Sequence, residues 1–187
     1  IRSYLDWLIA MPWSRLDAQQ HDIERPPAIL DDDHFALDKV KRRNHQFPMA
    51  RTRQYFTFVY GVIHPGSGRL EYTVGGHPAP LLLPAASPPV PLPGADLPIG
   101  MLERASYTQQ SVTLAPGERL YLYTDGAVEA TNGAGDEFGQ GRLRAAVERW
   151  RDRPLRDSLD RIAAEVQAWC GGRLIDDLTL LALERAG

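Results

Sequence analysis

The order of hydrophobic patterns along the chain constrains its fold more than any other feature. Between residues 54 and 124, short runs rich in Tyr, Phe, Thr, Val and Leu alternate with turns of Gly and Pro, which is typical of antiparallel strands. Two segments of helical spacing follow, over 142–150 and 155–169, and a last apolar run covers 178–183. Strands followed by two helices and a closing strand predict an α+β fold with antiparallel pairing.

The strand-rich region begins with a predicted β-hairpin. Residues 54–63 and 69–74 flank the turn His64-Pro65-Gly66-Ser67-Gly68. Further strands are predicted over 81–83, 107–114 and 119–124, whereas the proline-rich stretch 84–98 predicts a surface loop. The apolar residues of the two helical segments fall on one face each and predict their buried sides: Leu143, Ala146, Val147, Trp150, Leu155, Leu159, Ile162, Val166 and Trp169.

Composition excludes several classes of function. The chain has 187 residues and a net charge of -3, so no electrostatic case exists for nucleic-acid binding. Cys170 is the only cysteine, which excludes an internal disulfide and a thiolate metal cluster. No apolar stretch approaches the ~20 residues that a membrane span requires. We therefore expect a cytoplasmic protein without a membrane segment.

Two acidic residues stand at the ends of apolar runs. Asp125 follows Tyr121-Leu122-Tyr123-Thr124, and Asp176 precedes the last apolar run of the chain. A carboxylate at the end of a buried strand is expected to have poor access to water and to need a facing cation or donor. Two such groups brought together by a fold suggest a site for a hard divalent metal ion.

Seven motifs carry a resemblance to a known family. They occur in this order: 54–60 (QYFTFVY), 75–80 (GGHPAP), 97–100 (LPIG), 114–118 (LAPGE), 123–130 (YTDGAVEA), 137–139 (EFG) and 176–181 (DDLTLL). Together they resemble the C-terminal half of the metal-dependent PPM protein phosphatases, in the bacterial SpoIIE/RsbU-like branch. The resemblance assigns residues 44–187 to a partial PPM-type β-sandwich with flanking helices.

The resemblance also implies a chemistry. Complete members hold two Mn²⁺ or Mg²⁺ ions, and metal-activated water hydrolyses a phosphoserine or phosphothreonine. Asp125 and Asp176 match the family's metal ligands. Asp177 stands where relatives often have Asn, and it is given a supporting role. The phosphoprotein substrate in this branch is often an anti-sigma-factor antagonist.

Three neighbouring residues have alternative interpretations. His77 either faces the phosphate or serves as a structural histidine at a hairpin end, and the structural role is favoured. Glu129 either supports metal-bound waters or is simply an acid at a helix start. Gly126 completes an Asp-Gly dipeptide, which by itself is also an ordinary strand-ending turn.

The resemblance does not extend to the family's N-terminal motifs. A Gly-Gly-Asp strand end and an Asp-Val-Ser-Gly-type segment should supply further metal ligands, and neither occurs upstream of Gln54. Two carboxylates and water bind Mg²⁺ or Mn²⁺ weakly, so we expect a weakly active or inactive, truncated form. The remaining strands should expose an apolar face and open edges, through which the chain could self-associate.

Residues 1–43 resemble a different family. Residues 4–14 (YLDWLIAMPWS) and 30–41 (LDDDHFALDKVK) look like the helical segment that precedes the ATPase module of Lon proteases. No Gly-rich phosphate loop follows, so this segment carries neither ATP hydrolysis nor proteolysis. The junction near residues 43–46 has no linker composition, and we expect either two joined gene fragments or an artificial junction, not an evolved two-domain protein.

The sequence thus leaves three hypotheses in order of preference. The first is a PPM-type serine/threonine phosphatase fragment acting on a phosphoprotein. The second is a non-catalytic protein that pairs through exposed sheet edges. The third and weakest is a remnant of a Lon-type ATP-dependent protease.

Overall fold

The structure, a computed structural model, describes residues 55–102 and 105–186. The predicted helical segment 1–43 lies outside these residues. The strands are β1 (Phe58–His64), β2 (Arg69–Gly75), β3 (Leu81–Leu83), β4 (Val90–Pro91), β5 (Gln110–Thr113), β6 (Arg119–Tyr123) and β7 (Leu180–Glu184). The helices are α1 (Gly139–Arg149) and α2 (Leu155–Trp169). The α+β fold class predicted from the sequence is confirmed.

The described strands form two antiparallel sheets. One has the order β1-β2-β5 and the other β4-β3-β6-β7. The predicted hairpin is confirmed, since β1 pairs with β2 from Phe58 opposite Gly75 to His64 opposite Arg69. In the second sheet, β6 pairs with β3 on one side and with β7 on the other. The first three residues of β6 are paired on both sides, and its C-terminal end at Tyr123 is held by β7, where Tyr123 lies opposite Leu180.

Two apolar clusters separate three layers. The cluster between the sheets is formed by Leu70, Tyr72, Val74, Leu82, Leu92, Leu114 and Leu120. The second cluster lies between the four-stranded sheet and the helices, and it includes Tyr121, Tyr123, Leu143, Ile162 and Val166. Successive residues of β6 alternate between these clusters, as the two-residue period of a strand requires. The predicted inward faces of both helices pack against the second cluster.

Some boundaries differ from the sequence prediction. The predicted loop 84–98 contains the short strand β4, whose Val90 pairs with Leu82. The strand predicted over 107–114 is shorter, because the backbone N–H of Thr108 donates to the carboxylate of Asp96 at 2.6 Å. These contacts join residues at least eight positions apart in the sequence. The hydrophobic periodicity of a single segment therefore cannot predict them. No helix in the described part of the chain is both long and apolar enough to cross a bilayer.

Candidate metal centre

The C-terminal end of β6 places Asp125. The strand ends at Tyr123, which is buried against the helices, and Asp125–Ala127 forms a single 3-10 turn. The backbone carbonyl of Asp125 accepts hydrogen bonds from the N–H groups of Val128 and Glu129, both at 2.8 Å. Its carboxylate accepts the N–H of Gly126 at 3.1 Å. The backbone around Asp125 is therefore fixed on both sides of the residue.

Thr124 joins this turn to the segment that carries Asp176. Its hydroxyl donates to the backbone carbonyl of Asp177 at 2.7 Å and accepts the N–H of Thr179 at 2.9 Å. Its own N–H donates to the carbonyl of Thr179 at 3.1 Å. Three hydrogen bonds thus connect positions more than fifty residues apart in the chain.

Gly126 lets the two segments approach closely. A Cβ atom at this position would lie 2.6 Å from the carbonyl oxygen of Asp177 and 3.3 Å from the carbonyl carbon of Asp176. Only glycine fits such an approach of backbone to backbone. The Asp-Gly dipeptide is therefore needed for packing, in addition to ending the strand.

An open depression of about 490 Å³ lies at this junction. Its lining residues are Gly126, Glu129, Ala130, Glu137, Ile175 and Asp176. Three of them are carboxylates and none is a cation, so the local charge favours bound cations. Asp125 is not one of the lining residues, although it directly precedes Gly126.

The acidic residues have free access to water. Asp125, Asp176, Asp177 and Glu129 are all exposed. The sequence-based expectation of poor access to water is therefore wrong. It assumed that an acid at a strand end shares the burial of the strand, whereas Tyr123 is the last buried side chain before the turn.

The structure brings together some of the predicted site residues and not others. Gly126, Glu129 and Asp176 line one depression, and Asp177 contributes its backbone carbonyl beside it. His77 lies after the end of β2, where its Nδ1 is 3.1 Å from the carbonyl oxygen of Pro78, and it does not line the depression. Sequence reasoning missed Glu137 as a lining residue, although its motif was noted.

A second site residue that the sequence analysis missed is Thr124. The only sequence feature that pointed to Thr124 was its position before Asp125 in the YTDG motif. Its bridging role depends on hydrogen bonds to Asp177 and Thr179, near the far end of the chain. Nearby, burial raises the pKa of the Tyr123 phenol, and Arg144 only partly opposes this shift.

The described residues fit part of a divalent-cation site. Carboxylates are suitable ligands for hard cations, and the segments bearing Asp125 and Asp176 are in contact. However, residues 55–102 and 105–186 contain no group of three or more Asp, Glu, His or Cys side chains arranged to hold a metal ion. This part of the chain does not form a complete dinuclear centre.

A larger groove, of about 680 Å³, lies against the two helices, but its charged residues are already engaged with other side chains. Arg142 stacks over the ring of Trp169 at 4.0 Å, and Arg149 is 2.6 Å from the carboxylate of Glu165. Because these charged groups are already partnered, the acidic depression remains the candidate site.

Comparison with known proteins decides the family. The family model described as Stage II sporulation protein E (SpoIIE) matches residues 24–186. The chain belongs to the SpoIIE family. This match covers the depression, both acidic segments and every described strand and helix.

Solved structures share the fold. The SiaA-PP2C domain of Pseudomonas aeruginosa superposes with a TM-score of 0.67 at 21% identity, over 79% of this chain and 58% of that chain. The phosphatase domain of SpoIIE from Bacillus subtilis, presoaked with Mn, gives a TM-score of 0.62 at 12% identity, over 90% and 77% of the two chains. The predicted PPM-type phosphatase fold is confirmed.

The resemblance to Lon proteases is also found, as a short match. Lon protease of Heliobacterium modesticaldum is 54% identical over 43 residues, which are 23% of this chain and 5% of that protein. The chain therefore spans about a twentieth of this relative and somewhat more than half of the SiaA chain.

Proposed function

We propose that the chain is part of a metal-dependent serine/threonine protein phosphatase, with Asp125 and Asp176 as its metal ligands. The contact between Gly126 and the Asp176–Asp177 backbone is the observation that carries this proposal, because it unites the two acidic segments. Membership of the SpoIIE family supports it. In a complete site, bound Mn²⁺ or Mg²⁺ supplies Lewis-acid and water-activating chemistry.

The residues of this chain would contribute positioning and charge. Thr124 holds the Asp176 segment against the 3-10 turn, so both carboxylates have a fixed backbone before any cation arrives. Glu129 and Glu137 add negative charge around the depression and would support metal-bound water. The phosphoprotein substrate, such as an anti-sigma-factor antagonist, is a proposal from the resemblance, and the cytoplasmic location is a proposal from composition.

We expect the 187-residue chain by itself to be a weak enzyme or an inactive one. The described residues provide an incomplete ligand set. The Gly-Gly-Asp and Asp-Val-Ser-Gly motifs do not occur upstream of Gln54. Robust Mn²⁺-dependent hydrolysis of a phosphopeptide by this chain alone would refute this expectation.

Calorimetric titration with Mn²⁺ tests the metal assignment separately from activity. We expect weak binding that falls at least about tenfold in Asp125→Asn and in Asp176→Asn, because each removes a direct ligand. Asp160→Asn is the matched control, since Asp160 is an exposed acid on α2 and should leave binding unchanged. Equal Mn²⁺ affinity in all three variants, or no binding by the parent chain, would contradict the assignment.

A non-catalytic interaction role is the second candidate function. The observation that favours it is the exposure of Leu181 and Leu183 on the last strand. Loss of self-association after substitution of these leucines, in a chain without phosphatase activity, would support this role.

A further inference from the structure

A small cavity of about 170 Å³ lies at one end of the four-stranded sheet. Four of its lining residues are charged: Arg119, Arg151, Asp152 and Glu184. Since β6 begins at Arg119 and ends at Tyr123, the cavity is at the opposite end of this strand from Asp125. The acidic depression has a different set of lining residues. The two are therefore separate features of the described chain.

Arg119 is almost fully buried beside this cavity, and the whole residue is only 8% exposed. Its Nε donates to the carboxylate of Glu184 at 2.6 Å, and its Nη2 donates to the backbone carbonyl of Arg153 at 2.8 Å. Its Nη1 is buried and has no hydrogen-bond partner within the described part of the chain. A buried charged donor without an acceptor is costly, so this nitrogen indicates a missing acceptor.

Arg151 also leaves a buried nitrogen without a partner. Its Nη1 donates to the carbonyl of Ala85 at 3.1 Å, and its Nη2 donates to the carbonyl of Ser87 and to the carboxylate of Glu148 at 2.7 and 2.6 Å. Its Nε is buried, and no acceptor within residues 55–102 and 105–186 is hydrogen-bonded to it. Because both arginines line one small cavity, a single acceptor group there would satisfy both.

The carboxylates that line the cavity limit which acceptor is suitable. Glu184 is already engaged by Arg119. Asp152 is exposed, and no hydrogen bond or ion pair engages it among the residues that the structure describes. An ionised carboxylate only accepts hydrogen bonds, so it disfavours an anion that has no proton to donate. Phosphate keeps a proton at neutral pH and sulfate does not, so phosphate is the oxyanion that suits this set of groups.

We propose that this cavity binds one inorganic phosphate ion. Its oxygens accept from Nη1 of Arg119 and Nε of Arg151, and its proton is donated to the carboxylate of Asp152. Hydrogen bonds from arginine to phosphate are charge-assisted and strong. Because both nitrogens are buried, small side-chain rotations at the cavity wall accompany binding. The site uses neither Asp125 nor Asp176, so it is independent of the proposed metal centre.

Calorimetric titration of the full chain with sodium phosphate at neutral pH tests the site, after divalent metals have been removed with a chelator. We expect one saturable phosphate site and at least about tenfold weaker binding of sulfate, because sulfate has no proton for Asp152. Asp152→Asn should remove this preference and bring the two affinities within about threefold of each other. Asp160→Asn, at an exposed acid on α2, is the matched control and should keep the preference.

The donor role of Arg151 is tested by a substitution that keeps its charge. Arg151→Lys remains a cation but lacks the Nε–H group, so phosphate binding should weaken at least about tenfold. Arg156→Lys is the matched control, since Arg156 is exposed in the first turn of α2 and lies outside the cavity lining. Circular dichroism and thermal unfolding verify that each variant is folded.

Several results would overturn the proposal. A parent chain without saturable phosphate binding would mean that the cavity holds only water. Equal affinity for phosphate and sulfate, or equal phosphate affinity in Arg151→Lys and Arg156→Lys, would refute the assigned contacts. If Arg151→Lys does not fold, the Asp152→Asn comparison decides, and a variant that still rejects sulfate counts against the site. Because no divalent metal is present, these outcomes leave the proposed metal centre untested and are separate from its failure.

Discussion

A methyl group at position 126 tests the contact that joins the two acidic segments. The Cβ of Gly126→Ala would lie 2.6 Å from the carbonyl oxygen of Asp177 and 3.0 Å from its carbonyl carbon. The shorter distance is about 0.8 Å below an ordinary van der Waals contact. Both atoms belong to the backbone, so no side-chain rotation relieves the overlap. The Asp177 carbonyl is also held by the Thr124 hydroxyl.

The expected cost follows from overpacking in a constrained region. Such substitutions destabilise by about 1–3 kcal/mol, and in a domain of this size each kcal/mol lowers the melting temperature by about 2–4 °C. We therefore expect Gly126→Ala to melt between about 2 and 12 °C below the parent chain. The displacement should also weaken the bond from the Thr179 N–H to Thr124, which hydrogen exchange at Thr179 reports.

Calorimetric melting and urea unfolding measure this loss against a matched control. Gly133→Ala adds the same methyl group in the loop after the 3-10 turn, where nothing lies within 4 Å of the new Cβ. We expect Gly133→Ala to stay within about 0.5 kcal/mol of the parent. If Gly126→Ala is as stable as Gly133→Ala and leaves exchange at Thr179 unchanged, the two segments are not in contact and the metal assignment loses its geometric basis.

Two further predictions concern the same end of β6. Thr124→Val should lower the free energy of unfolding by about 1–3 kcal/mol in urea titration, because it leaves the carbonyl of Asp177 and the N–H of Thr179 without their partner. Thr124→Ser keeps the hydroxyl and should retain most of the stability. Equal losses in both variants would argue against the hydrogen bonds. Because burial raises the pKa of Tyr123 in the folded chain above the ordinary tyrosine value of 10.0, the neutral phenol stabilises the fold fully below pH 10.0. This stabilisation is lost as pH rises from there through the raised pKa of the folded state. Tyr123→Phe should therefore lose less stability between neutral and alkaline pH than the parent chain, as urea unfolding at several pH values would show, and an identical alkaline decline would contradict the assigned cause.

Local patterns were sufficient to predict most of the elements. The turn His64-Pro65-Gly66-Ser67-Gly68 positioned the β1–β2 hairpin, and helical spacing identified the buried faces of α1 and α2. These features depend on residues within one or two turns or strands of each other. For the same reason the sequence missed β4, whose pairing depends on a separate strand.

The candidate site was only partly predictable. The YTDG and DDLT motifs identified Asp125 and Asp176 because acids at the ends of apolar runs are unusual. Their exposure was not predictable, since it depends on what packs above the strand ends. The bridging role of Thr124 was equally hidden, because its hydrogen-bonding partners lie more than fifty residues away.

Residue type and spacing along the chain were enough to predict the order of strands and helices, the family resemblance and the acids proposed as metal ligands. Those properties depend on residues that are close together in the sequence, where residue type and spacing act directly on the local backbone. The packing of distant segments was needed to show that Gly126 lies against the Asp176–Asp177 backbone and that Thr124 is hydrogen-bonded to Asp177 and Thr179. Both depend on contacts between distant segments, which arise only when the two sheets and the helices pack together.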